Sequence, residues 1–111
     1  MIKQLLVTYF LVLFCTISYA KDVNSESVVW IDVRSWAEHK LDGIEGDVHI
    51  PYRNIVKELS KQNISKESNI KLYCQSGGRS EKALTELAEA GYTKVENVGG
   101  IADARKIRGL E

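Results

Sequence analysis

Leu72-Tyr73-Cys74-Gln75-Ser76-Gly77-Gly78-Arg79-Ser80 is the stretch on which the fold turns. The apolar run Ile70 to Tyr73 has strand length and delivers Cys74 to a glycine pair. A helical pattern follows from Ser80 to Ala90, with Ala83, Leu84, Leu87 and Ala88 along one stripe. Strand, glycine turn and helix together aim backbone N–H groups and the positive end of a helix dipole at one point. That point is the Cys74 side chain, and a thiol there loses its proton more readily because the field stabilises the thiolate. Cysteines in such surroundings titrate at roughly 3.5–7.5. Gly77 and Gly78 let the backbone curl inward with φ values other residues avoid, and leave no side chain before an incoming anion. Arg79 adds a fixed positive charge five residues after the sulfur. The plain alternative is an inert buried thiol beside an ordinary turn.

Outward from the loop, composition sets the frame. The 111 residues are 44% apolar and 27% charged with zero formal net charge, as for one soluble domain, and they carry no basic footprint for nucleic acid. Residues 1–20 read as a signal peptide. Lys3 gives a positive start, Leu5 to Ile17 an apolar run too short to span a bilayer, and Ser18-Tyr19-Ala20 small residues before cleavage at Lys21. The expected domain is therefore 21–111, located in the periplasm. Removal of Cys15 with the signal leaves Cys74 as the single cysteine, so no intramolecular disulfide forms. A lone thiol in an exported chain either pairs with another chain or is kept for reaction.

In chain order, Val28 to Val33 is a β-branched run suited to a strand covered on both faces. Ser35 and Glu38 form a capping box for a short helix ending near Gly43. Asp47 to Pro51 is a second strand stopped by the only proline, and Arg53 to Ser60 a helix. Lys94 to Val98 is a further strand, Gly99-Gly100 a turn, and Ile101 to Ile107 a closing helix. Alternating strands and helices predict an α/β fold: a small parallel sheet of four to five strands flanked by helices in three layers.

Four segments of this chain resemble the rhodanese domain, and within that family the small exported single-domain type. They are Ile31 to Ser35 with Glu38, Gly43 to Pro51, the Cys74 to Ser80 loop, and Gly91 to Gly100. The chain departs from the family pattern at Gly43, where a histidine is common, at His39, often aromatic, and at Glu45, which replaces a proline. The resemblance implies a thiosulfate sulfurtransferase with Cys74 as the catalytic nucleophile. A sulfane sulfur would pass from a thiosulfate-like donor through a Cys74 persulfide to cyanide or a thiol. Gln75, Ser76, Gly77, Gly78 and Arg79 are the implied substrate-binding residues. No cofactor or metal is implied, and the partners are the small-molecule donor and acceptor. The mature chain is expected to act as a monomer, away from nucleic acid and membrane.

Phosphatases and arsenate reductases of the same superfold place five residues between cysteine and arginine, whereas here four intervene. A non-catalytic carrier of sulfur or an anion is the alternative from another class. Asp32 reads as structural, and Arg34 as a partner of Glu38 across one helical turn. His39 and His49 are left out of the chemistry because an ionised thiol needs no base. Trp36 and Tyr52 are placed in or near the core, with the pocket mouth as the other possibility, and Tyr73 shares that ambiguity.

Overall fold

The structure is a computed structural model that describes residues 27–111; the segment read as a signal peptide lies outside the described residues. Four strands are found among these: β1 (Val28–Asp32), β2 (Val48–His49), β3 (Asn69–Cys74) and β4 (Val95–Gly100). They form one parallel sheet in the order β2-β1-β3-β4. The helices are α1 (Trp36–Asp42), α2 (Ile55–Lys61), α3 (Gly78–Glu89) and α4 (Ile101–Arg108), with a 3-10 turn at Tyr52–Asn54. The α/β expectation is met, with four strands.

Local chemistry accounts for most boundaries. At α1 the Ser35 hydroxyl accepts from the Glu38 N–H while the Glu38 carboxylate accepts from the Ser35 N–H, completing the capping box. The second strand, Val48–His49, is shorter than expected and ends before Pro51. Ile50 N–H still bonds Asp32 C=O and Tyr52 N–H bonds Val33 C=O, so the chain follows β1 past the proline. The expected helix from Arg53 begins as the 3-10 turn and becomes α-helical only at Ile55.

Alternation along β3 divides the interior. Ile70, Leu72 and Cys74 face α2 and α3 in a core with Ile31, Val33, Ile50, Ile55, Leu59, Ala83 and Leu87. Tyr73 points to the opposite face and packs with Ile44, Ile101 and Ala104 beneath α4. Its hydroxyl donates to Asp47 at 2.6 Å, and Arg108 from α4 grips the same carboxylate with two bonds. Tyr73 is therefore a core residue, which resolves its ambiguity. Tyr52 is half-buried against the larger core. Trp36 is 64% exposed, contrary to expectation, because α1 buries none of its residues; the ring lies under the Lys40 ammonium instead. Ala88 is likewise exposed, and Ala90 takes its place against the core.

Gly99-Gly100 is no free turn but the end of β4, paired with Tyr73 and Cys74 after a bulge. The bulge falls where Leu72 pairs with Asn97 and Tyr73 with Gly99, leaving Val98 over. It delivers Gly100 against the cysteine loop: a Cβ on Gly100 would lie 2.3 Å from the Gln75 carbonyl oxygen, so only glycine fits.

Candidate active site

Cys74 is the last residue of β3, and its loop runs straight into α3 at the carboxyl edge of the sheet. The sulfur accepts from Gly77 N–H at 3.0 Å and lies 3.5 Å from the Ser80 hydroxyl. Gly77 makes this possible with φ +106°, a left-handed conformation that swings its N–H back toward the sulfur. Gly78 needs no such freedom: it begins the helix, and a Cβ there would meet nothing within 4 Å. The conformational reason given for both glycines thus applies to the first alone.

Burial by itself would push the Cys74 thiol up. Against it act the Ser80 hydroxyl and the backbone amides of Ser80, Gly77 and Ser76, and the net effect lowers it to about 7. Cys74 is 1% exposed, more enclosed than its loop pattern suggests. Its outer cover is polar, since Gln75, Ser76 and Gly78 are all exposed. A free thiol, ringed by donors and titrating near neutrality, is a nucleophile in waiting.

The other loop residues are held by partners distant in sequence. Arg79 forms a bidentate pair with Glu38 of α1, at 2.7 and 2.9 Å. That pair, helped by the Ser35 contacts, lowers the Glu38 carboxyl to about 2. Arg79 is raised by Glu38 first, and the nearby Cys74 charge adds to the shift. The Gln75 side-chain oxygen accepts from Arg34 at 3.2 Å.

Arg34 itself does not pair with Glu38 as expected. It is 1% exposed and turns inward to Asp32 and Asp42, with contacts of 3.0 and 2.9 Å. Burial opposes its charge, yet those two carboxylates more than offset this and raise it. Asp32 is held below the usual carboxylate range despite its burial, by Arg34 and by His39. His49 stacks on His39 with ring centres 4.3 Å apart and donates from Nε2 to the Arg34 carbonyl. Both histidines thus brace the Asp32–Arg34 pair.

Two residues behind the loop escaped sequence reasoning, one touching the sulfur and one touching that residue. Ser80 is fully buried, and Asn97 of β4 reaches it across the loop at 2.7 Å. The Asn97 amide also donates to the Gly77 carbonyl at 3.0 Å. The spacing Cys-x5-Ser is a usable signal for the first, whereas Asn97 enters only through the sheet order. A groove of about 390 Å³ between the 3-10 turn and α3, lined by Tyr52, Arg53, Lys82, Thr85 and Glu86, includes none of the loop residues. Among the described residues no cluster of His, Cys, Asp and Glu is arranged to hold a metal.

A free cysteine in an amide cradle at the head of a helix, on a parallel sheet, defines a class of cysteine-dependent α/β transfer enzymes. Residues 17–105 match the rhodanese-like domain, and the chain belongs to that family. It is 35% identical over 74 residues to the thiosulfate sulfurtransferase PspE of Escherichia coli, covering 67% of this chain and 71% of that protein. Thiosulfate sulfurtransferase 18 of Arabidopsis thaliana is 35% identical over 97 residues, covering 76% and 71% respectively. A structure titled "rhodanese with anions from E. coli" superposes with a TM-score of 0.65 at 34% identity, over 69% of this chain and 91% of that one. The protein is an enzyme of the sulfurtransferase class.

Proposed function

We propose that the protein is a thiosulfate sulfurtransferase that works through a persulfide on Cys74. The observation that carries this reading is the placement of the sulfur at the head of α3, where it accepts from Gly77 N–H at 3.0 Å with the Ser80 hydroxyl 3.5 Å away, donors that lower the thiol toward neutrality. The Cys74 thiolate attacks the outer sulfur of thiosulfate. A sulfur–sulfur bond forms to Cys74, the bond to the sulfonate breaks, and sulfite leaves with its electron pair. Cyanide or an acceptor thiolate then takes the terminal sulfur, and the electron pair of the broken bond returns to Cys74. Two half-reactions on one nucleophile give ping-pong kinetics.

The loop amides are the natural stabilisers of charge on the outer sulfur, because they are preorganised and cost no rearrangement. The exposed Gln75, Ser76 and Gly78 are the residues a donor meets first. Arg79 orients an anionic donor from its place beside the loop, its fork held by Glu38. Export by residues 1–20, giving a periplasmic domain from Lys21, belongs to the same reading and is checked by N-terminal sequencing of the protein recovered outside the cytoplasm.

Intact mass before and after thiosulfate tests the chemistry. Gain of one sulfur atom, lost again on cyanide, is the expected result, with none gained by Cys74→Ser. Absence of any adduct on the wild-type chain overturns the reading, and turnover of an aryl phosphate instead reassigns it.

A further inference from the structure

The Ser80 hydroxyl has one proton and three acceptors within reach: Asn97 Oδ1 at 2.7 Å, the Gly77 carbonyl at 3.1 Å and Cys74 Sγ at 3.5 Å. It can serve only one well at a time. Asn97 is fully engaged, accepting also from Gly99 N–H at 2.9 Å and donating to Gly77 C=O and to Glu81 at 3.4 Å. Its carbonyl oxygen is thereby fixed in front of Ser80. With Cys74 as a thiol, the shortest contacts describe a directed chain: S–H to Ser80 Oγ, and Ser80 O–H to Asn97. With Cys74 ionised, the hydroxyl must turn to the sulfur, and two oxygens are then left close together with no proton between them.

We propose that Asn97 is a positioning residue that competes with Cys74 for the Ser80 proton and so keeps the sulfur more basic than its cradle alone would make it. The consequence for catalysis follows from thiol chemistry. Nucleophilicity falls as a thiolate becomes less basic, and the best attacking thiol titrates near the ambient pH. A cradle without this competitor would ionise the sulfur further and blunt its attack. The inference rests on the reading of Cys74 as the sulfur-carrying nucleophile.

Of the charged groups around the pair, only Glu81 loses a contact when Asn97 is replaced. Arg79 acts on the sulfur from α3, Arg34 reaches the loop through Gln75, Glu81 touches the Asn97 amide, and Asp103 of α4 holds Gly100 N–H. The readout is the pH dependence of alkylation at the Cys74 peptide, followed by mass, on the full chain. It requires no turnover, so it stands or falls separately from sulfur transfer. Asn97→Ala should lower the thiol midpoint by about 0.5–1 unit, the worth of one modest hydrogen bond. Ser80→Ala should raise it, and the double variant should match Ser80→Ala alone. A purely structural Asn97 gives the opposite sign, because loosening the loop amides raises the thiol whether or not Ser80 is present. If Asn97→Ala does not fold, Asn97→Asp decides. It keeps the acceptor and strengthens it, so the midpoint should rise in the wild-type background and by clearly less in Ser80→Ala. A rise or no change in Asn97→Ala, or equal shifts with and without Ser80 in either variant, overturns the proposal.

Discussion

At one edge of the sheet the chain buries two ionisable sites a few residues apart in space and treats them differently. Asp32, the last residue of β1, and Arg34 just beyond it are both charged, both enclosed, and locked to each other, to Asp42 and to His39. Cys74, the last residue of β3, is enclosed to the same degree, but its hydrogen bonds come from neutral donors, amides of its own loop and one hydroxyl, with Arg79 acting on it only through space. Opposite full charges keep both members of the pair ionised on either side of neutrality, whereas neutral dipoles outweigh the cost of desolvation by enough to bring the thiol to about 7. The ion pair is therefore a fixed brace, and the thiol remains a group whose charge changes near neutral pH.

The brace is the place to look for the largest effect on stability. Arg34→Met leaves Asp32 buried without its main partner and should cost about 3–5 kcal/mol, measured by urea unfolding. Loss of the Gln75 contact should also slow sulfur loading in the folded fraction. A cost below about 1 kcal/mol would mean that the pair is no brace.

The glycine pair sharpens the comparison at the thiol. Gly77→Ala forces a left-handed backbone on a residue with a Cβ and should cost about 1–3 kcal/mol, together with a rise in the thiol midpoint as the N–H turns away. Gly78→Ala lies in open space on the first helical residue, and its stability should be unchanged or up to about 1 kcal/mol higher. Equal effects at the two positions would contradict the geometry of the cradle.

The Glu38–Arg79 pair, partly exposed, should give the smallest change. Glu38 is depressed in the folded chain to about 2 from an ordinary 4.5. Its contribution is present above pH 4.5 and fades as pH falls toward 2. Glu38→Gln should lose less than about 1 kcal/mol at neutral pH and flatten the acid limb of the stability curve. An unchanged acid limb would place the pair's effect elsewhere.

How far the sequence carried these conclusions depends on how local each interaction is. The amide part of the cradle was legible because Cys74 and Gly77 lie within one strand-to-helix turn, and the Ser35–Glu38 box because capping spans three residues. Ser80 lies in the same turn, but the sequence pattern shows it only as the start of a helix. Arg79 with Glu38, and Arg34 with Gln75, are each separated by 41 positions, and the sheet order brings them together. Helical spacing paired Arg34 with Glu38, but Arg34 precedes α1 and is drawn inward by two carboxylates. Asn97 was hidden because only the pairing of β4 with β3 carries it to Ser80, a contact across 17 positions. Trp36 misled because size suggests burial, while its helix has no face against the core.

Titration of the Cys74 thiol, by alkylation rate against pH at the Cys74 peptide, is the most direct test of the cradle. A midpoint near 7 is predicted, with reactivity rising through neutrality and level above it. A midpoint near about 8.5, the value of an unperturbed cysteine, would show that the amides and Ser80 do not ionise the sulfur.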